Sequence, residues 1–179
     1  MLCLVGALSG CFPTYYNKTA VTTKEAVVIK DPVNIRKLYV IAAGNLALRV
    51  ISNNFHTELG RQLKKPKSEI PFEFRKKLNA TDSVEISVDD EKAYDGYLLL
   101  TEDKDAKIKP YTKKAEVVIG TLYGNGYTGT IRVELFTSSK KLLFTADMEL
   151  NFDPTNPALY KKLIKQLLTE LTDNNILLL

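Results

Sequence analysis

GTLYGNGYTGTIRVELF, residues 120–136, decides between two folds. Its segment Gly124-Asn125-Gly126-Tyr127-Thr128-Gly129 matches G-x-G-x-x-G, the fingerprint of a dinucleotide-binding unit. That fingerprint needs a strand before it and a helix directly after it, because the helix N-terminus supplies the amides and the dipole that hold pyrophosphate. Thr130 to Phe136 follow instead, β-branched and alternating, with Ile131, Val133 and Leu135 on one side. They form a strand, so no phosphate cradle exists and nucleotide binding is excluded. Gly124-Asn125-Gly126 then reads as the φ > 0 chemistry of a hairpin loop. Tyr123 and Tyr127 at its tip become candidate partner contacts.

On either side of this stretch the pattern is an antiparallel series. AEVVIGTLY, residues 115–123, is expected as one strand, and Thr137-Ser138-Ser139-Lys140 turns the chain after the next. Leu142, Phe144, Ala146, Met148 and Leu150 alternate with Leu143, Thr145, Asp147 and Glu149, a strand with one largely polar face. Asn156 and Pro157 cap and open a final helix. Leu159, Leu163, Ile164, Leu167, Leu168 and Leu171 form its apolar face; Asn174-Asn175 ends it and leaves ILLL as a tail.

The N-terminal half supplies the other helix. Leu38 to Ala43 is a continuous apolar run, expected as a strand covered on both faces. Gly44-Asn45 opens a helix whose stripe is Leu48, Ile51, Phe55, Leu59 and Leu63, and Pro66 stops it. IPFEF, residues 70–74, carries Pro71 and suits a short edge strand, VEISV at 84–88 a second weak strand, and Tyr97 to Thr101 a short buried one. Helices at both ends of an antiparallel run predict an α+β fold, a two-layer sandwich of a mainly antiparallel sheet with two helices packed on one face.

At 179 residues, 45% hydrophobic and 26% charged, the chain has the composition of one ordinary globular domain. A net charge of +4 falls short of the clustered excess of a nucleic-acid binder, so nucleic acid is not an expected partner. The N-terminus, MLCLVGALSGCF, is too short an apolar segment to span a bilayer and has the shape of a secretory signal. Leu8-Ser9-Gly10-Cys11 resembles the lipobox of bacterial lipoproteins. That resemblance implies that Cys11 becomes the first mature residue and carries acyl chains, and several such chains make anchoring effectively permanent. Phe12 lacks the aspartate that retains many such proteins in the inner membrane, which implies an outer-membrane, periplasm-facing location. No Lys or Arg precedes the apolar run, so a start codon further upstream or a trimmed chain is expected. The organisation is thus a signal remnant at 1–10, an acylated tether at 11–34 in which Ala26 to Ile29 adds to a sheet edge, and one α+β domain at 35–179.

No catalytic constellation emerges. His56 is the single histidine and is expected at the surface; no G-x-S-x-G, H-E-x-x-H or C-x-x-C occurs. Asp89-Asp90-Glu91 and Glu102-Asp103-Lys104-Asp105 read as solvated turns, since the second lacks the glycine and the bidentate glutamate of a calcium loop. No metal and no cofactor is expected. Arg61, Lys64, Lys65, Lys67, Arg75, Lys76 and Lys77 crowd the end of the first helix and the segment after it, a candidate basic surface for phosphates or head groups.

Lipobox, strand-helix, antiparallel run and final amphipathic helix together resemble the small periplasmic lipoproteins with a TolB amino-terminal-like fold, which include penicillin-binding-protein activators and exopolysaccharide and curli secretion accessories. YDGYLLLTED resembles the strand that carries their "DY-x-L" phrase, and IRVELFTSSKKLLFTADMEL their hairpin. The resemblance implies a non-enzymatic protein that binds and positions an envelope assembly or secretion complex. A lipopolysaccharide-assembly lipoprotein of the LptE type, with its basic patch and Gly124 to Gly129 loop facing lipid or barrel, is the first alternative, and an envelope hydrolase the second. Cys11→Ala is expected to abolish acylation and to move the protein out of the membrane fraction; palmitate labelling and fractionation measure both.

Overall fold

The computed structural model describes residues 18–26, 31–77, 94–103, 105, 107–117, 120–153 and 155–178. The signal remnant, Leu8, Ser9, Gly10, Cys11 and the expected strand at 84–88 lie outside the described residues. The chain is an α+β two-layer sandwich. Its strands are β1 (Lys18–Ala26), β2 (Val33–Ile35), β3 (Leu38–Gly44), β4 (Phe72–Lys76), β5 (Gly96–Glu102), β6 (Lys109–Val117), β7 (Gly120–Thr137), β8 (Leu142–Phe152) and β9 (Ile176–Leu178). Its helices are α1 (Leu46–Gln62) and α2 (Pro157–Asp173).

The main sheet runs β1-β8-β7-β5-β3-β4, with β6 also paired to β7. It is mixed, where a mainly antiparallel sheet was expected: β3 pairs in parallel with both β4 and β5, and only from β5 onward is every pairing antiparallel. The cause is α1. A helix between β3 and β4 carries the chain back to the starting end, so the next strand enters in the same direction.

One register row crosses six strands: Phe72, Val40, Leu98, Leu135, Phe144 and Ala26 are successive cross-strand partners. All six lie in or against the core, on the face that both helices cover. Because side chains alternate with period two, this row fixes the register of the whole sheet. From the helices, Leu48, Ile51, Phe55 and Leu59 of α1 and Leu163, Ile164, Leu167 and Leu171 of α2 close the same core. The helix boundaries match the sequence signals. Asn45 Oδ1 accepts from Leu48 N at 3.0 Å and Asn156 Oδ1 from Ala158 N at 3.0 Å.

Several boundaries are corrected. Lys18–Ala26, within the expected tether, is the edge strand β1 on β8, ending where the sequence reading placed its start. Its alternating β-branched residues suit a sheet edge better than a linker. AEVVIGTLY is not one strand: Val117 pairs with Gly120, so the chain reverses between them. Gly124-Asn125-Gly126 consequently lies inside β7 and forms no loop. These glycines serve close approach. Gly126 faces Tyr111 across the ladder, and a Cβ there would stand 2.5 Å from the ring. At Gly129, φ is +150°, and a Cβ would meet the Ile108 backbone at 2.7 Å. The ILLL tail is no free end either. Ile176–Leu178 pairs in parallel with Val33–Ile35, and Ile176 is fully buried.

Phe55 is among the largest buried side chains, at the centre of the α1 stripe. Phe55→Ala is expected to cost about 3–5 kcal/mol of unfolding free energy, read from the midpoint of a urea titration.

Candidate functional site

The site is built on the opening of α1. Asn45 leaves β3 in an extended conformation and caps the helix. The Glu102 carboxylate at the end of β5 accepts from the Asn45 backbone N–H and, at 2.9 Å, from its Nδ2, which also donates to Ile108 O at 3.2 Å. A carboxylate at a helix N-terminus is stabilised by the unsatisfied N–H groups and the macrodipole. Glu102 is therefore a structural anchor, whereas the sequence reading made it part of a solvated acidic turn.

From this fixed start, helical spacing sets Leu46, Arg49, Val50 and Asn53 along one side of α1, off the buried stripe. Leu46 is 62% exposed and Val50 44%. Facing Leu46, Arg49 and Asn53 are Phe72, Phe74 and Lys76 of β4, the three residues whose side chains point to the helix side. Together Leu46, Arg49, Asn53, Phe72, Phe74 and Lys76 line an open groove of about 460 Å³. Its floor is aromatic, and the Arg49 guanidinium stands 5.8 Å above the Phe74 ring, a cation–π arrangement. Two smaller grooves, of about 280 and 140 Å³, lie along α1 and α2.

The far end of the groove floor is held by His56. It is buried, stacks on Phe72 with ring centroids 5.1 Å apart, and its Nε2 donates to Ile70 O at 2.6 Å. It is a packed core group, where a surface histidine was expected, because α1 turns it under the incoming β4. Burial lowers its proton affinity below the ordinary 6.5, and the nearby Lys67 charge adds to this against the opposing hydrogen bond to Ile70.

The sequence-predicted basic surface is not one patch. Arg61, Lys64 and Lys65 sit at the C-terminal end of α1, while Lys76 pairs in register with Gly44, beside the helix start. The 17-residue helix separates the two groups by about 25 Å. Arg61 is bound to Glu58 at 2.8 Å, and Lys65 Nζ donates to Arg36 O. Arg75 lies on the opposite sheet face and grips Glu73 at 2.8 and 2.9 Å, holding that carboxyl below its usual range. Lys77 donates its backbone N–H to Gly44 O at 3.1 Å. Lys76 alone of the set lines the groove. Tyr127 is half-buried against the core, and the side chain of Tyr123 is outside the described residues. Leu46, Arg49 and Asn53 were missed; the available signal was Leu46, an apolar residue on the helix side away from the main stripe.

Among the described residues no three His, Cys, Asp or Glu side chains converge to hold a metal, and no helix is long and apolar enough to cross a membrane. No family model matches the chain, and neither does any curated protein. Among the solved structures that resemble it are two of one protein. The PelC dodecamer from Paraburkholderia phytofirmans aligns at 12% identity and a TM-score of 0.43, and a single-residue variant of it at 11% and 0.46. Both alignments cover 86% of this chain and 97% of the other.

The lowered proton affinity of His56 couples folding to pH. The unfolded chain binds that proton more tightly, so this contribution is complete above about 6.5 and is lost as pH falls toward the folded-state value. Thermal unfolding is expected to show a lower Tm at pH 5 than at pH 7.5, with the difference reduced in His56→Gln.

Proposed function

We propose that the chain is a non-enzymatic, lipid-anchored, periplasm-facing lipoprotein that binds and positions an envelope assembly or secretion complex, and that the α1–β4 groove is where it docks. The groove carries this reading. It is open, with the exposed Leu46 in its lining and an aromatic floor, which is the anatomy of a partner surface. A water-excluding pocket with converging acid and base would favour an enzyme instead. Four carboxylates are committed elsewhere: Glu58 to Arg61, Glu73 to Arg75, Glu102 to Asn45 and Asp147 to Arg132. The lipobox residues Leu8 to Cys11 support the anchored location. The LptE-type alternative, which shares the strand-helix-strands-helix order, predicts a basic patch and a Gly124 to Gly129 loop facing lipid or barrel; the cations divide between two ends of α1 and the loop is strand, so the groove accounts for more of the surface.

The test is recovery of partners from native envelopes in mild detergent, by mass spectrometry, with wild type, Cys11→Ala and a Leu46→Asp, Asn53→Asp double variant. One membrane complex is expected with wild type, depleted by the loss of the anchor and reduced about tenfold by the groove substitutions. Equal recovery with the groove variant, or no specific complex from wild type, sinks the proposal.

A further inference from the structure

The groove presents backbone and side chains together. Along a strand, the N–H and C=O of one residue turn to the same edge, and those of the next residue turn to the opposite edge. Pro71 O accepts from Val40 N at 2.9 Å, and Lys77 N donates to Gly44 O at 3.1 Å. Between them the register pairs Val40 with Phe72 through to Gly44 with Lys76. Pro71, Glu73, Arg75 and Lys77 therefore direct their backbone groups to β3. Phe72, Phe74 and Lys76 direct theirs to the outer edge, where no strand pairs among the described residues. The residues that line the groove with side chains are thus the ones that offer it hydrogen bonds.

That combination selects an occupant. An extended chain satisfies a strand edge with its own amides and places every second side chain on the groove side, matching the two-residue spacing of Phe72 and Phe74. Charge selects further. Arg49 and Lys76 flank the floor, and among the described residues neither meets a carboxylate. A second copy of this chain would bring a β4 whose one carboxylate, Glu73, is already held by Arg75, and so would offer Arg49 and Lys76 no counter-charge. A lipid head group could meet the cations but has no use for a strand edge.

We infer that the α1–β4 groove takes an extended acidic segment of a partner protein, added to the outer edge of β4 with alternate apolar side chains on Phe72, Phe74 and Leu46 and carboxylates at Arg49 and Lys76. This rests on the docking reading above and names its partner class. The five residues of β4 give a contact about 16 Å long.

Fluorescence anisotropy tests it, with the full chain in mild detergent and a labelled peptide of about eight residues alternating Glu with Leu. The acidic peptide is expected to bind about tenfold or more tightly than its Lys-for-Glu counterpart, and Arg49→Glu with Lys76→Glu to reverse that preference. N-methylation of the amides that face β4 is expected to abolish binding. Equal binding of the two peptides, an unaffected double variant or indifference to N-methylation overturns the inference. So does binding of the Cys11→Ala chain to phosphatidylglycerol vesicles, lost on Arg49→Glu with Lys76→Glu, if the peptide fails to bind. If the peptide fails while envelope recovery still depends on Leu46 and Asn53, the acidic class is wrong and docking stands; if recovery is also insensitive, both fall.

Discussion

Glu102 reaching across to Asn45 is the contact on which the arrangement of the sandwich depends. Its carboxylate takes both the backbone N–H and the side-chain amide of Asn45, which in turn caps α1 through Leu48 N and holds Ile108 O. Three segments distant in sequence meet at one residue. Gly44 makes the approach possible, because a Cβ there would lie 2.5 Å from Glu102 Oε1 and 2.7 Å from Leu48 Cδ2. The end of β3, the start of α1 and the end of β5 are thereby fixed to one another, and the direction of α1 over the sheet follows.

That direction decides what is buried and what is left out. With α1 seated on β3, its stripe from Leu48 to Leu59 closes on the register row through Val40, Leu98 and Leu135, beside α2. On the β4 side of the helix, Arg49 and Asn53 reach the sheet margin, because β4 is the last described strand and is short, and Leu46 faces outward beside them. An apolar rim is left there by geometry, since a helix about 10 Å across overhangs a strand row spaced at about 4.8 Å.

How much of this was legible in the sequence follows from the range of each interaction. Both helices were readable to within a residue or so, since their caps at Asn45 and Asn156 and their apolar periods are local. The strand Tyr97 to Thr101 and the edge strand around Phe72 were readable from alternation and from Pro71. The glycines of β7 were not: a glycine needed for φ > 0 and one needed beneath a tyrosine look the same, and the deciding partner of Gly126 is Tyr111, on another strand. The parallel pairing of β3 with β4 and β5 was signalled by strand-helix-strand order but outweighed by the antiparallel run after it. The basic cluster failed for the opposite reason, as sequence neighbours were carried to opposite ends and faces by the turn after α1. Half of the groove, Phe72, Phe74 and Lys76, lay in segments already singled out; the helix half needed the angle of α1, which Glu102 sets from far along the chain.

The two ends of the groove are held by different means, and this bears on how it would bind. At the helix start, Asn45 and Glu102 fix Leu46 and Arg49; at the other end, His56 ties α1 to Ile70 O and stacks on Phe72. The Phe74 ring is covered by Arg49 between them. An edge clamped in this way needs little ordering on association, so more of the contact energy appears as affinity. It also links the groove to protonation, because a charged imidazole at the ordinary 6.5 would have to be desolvated beneath Phe72. The neutral ring is what the buried position favours, and with it the Nε2–H that fixes Ile70. The floor of the groove is therefore held by the same buried imidazole whose desolvation makes the fold sensitive to acid.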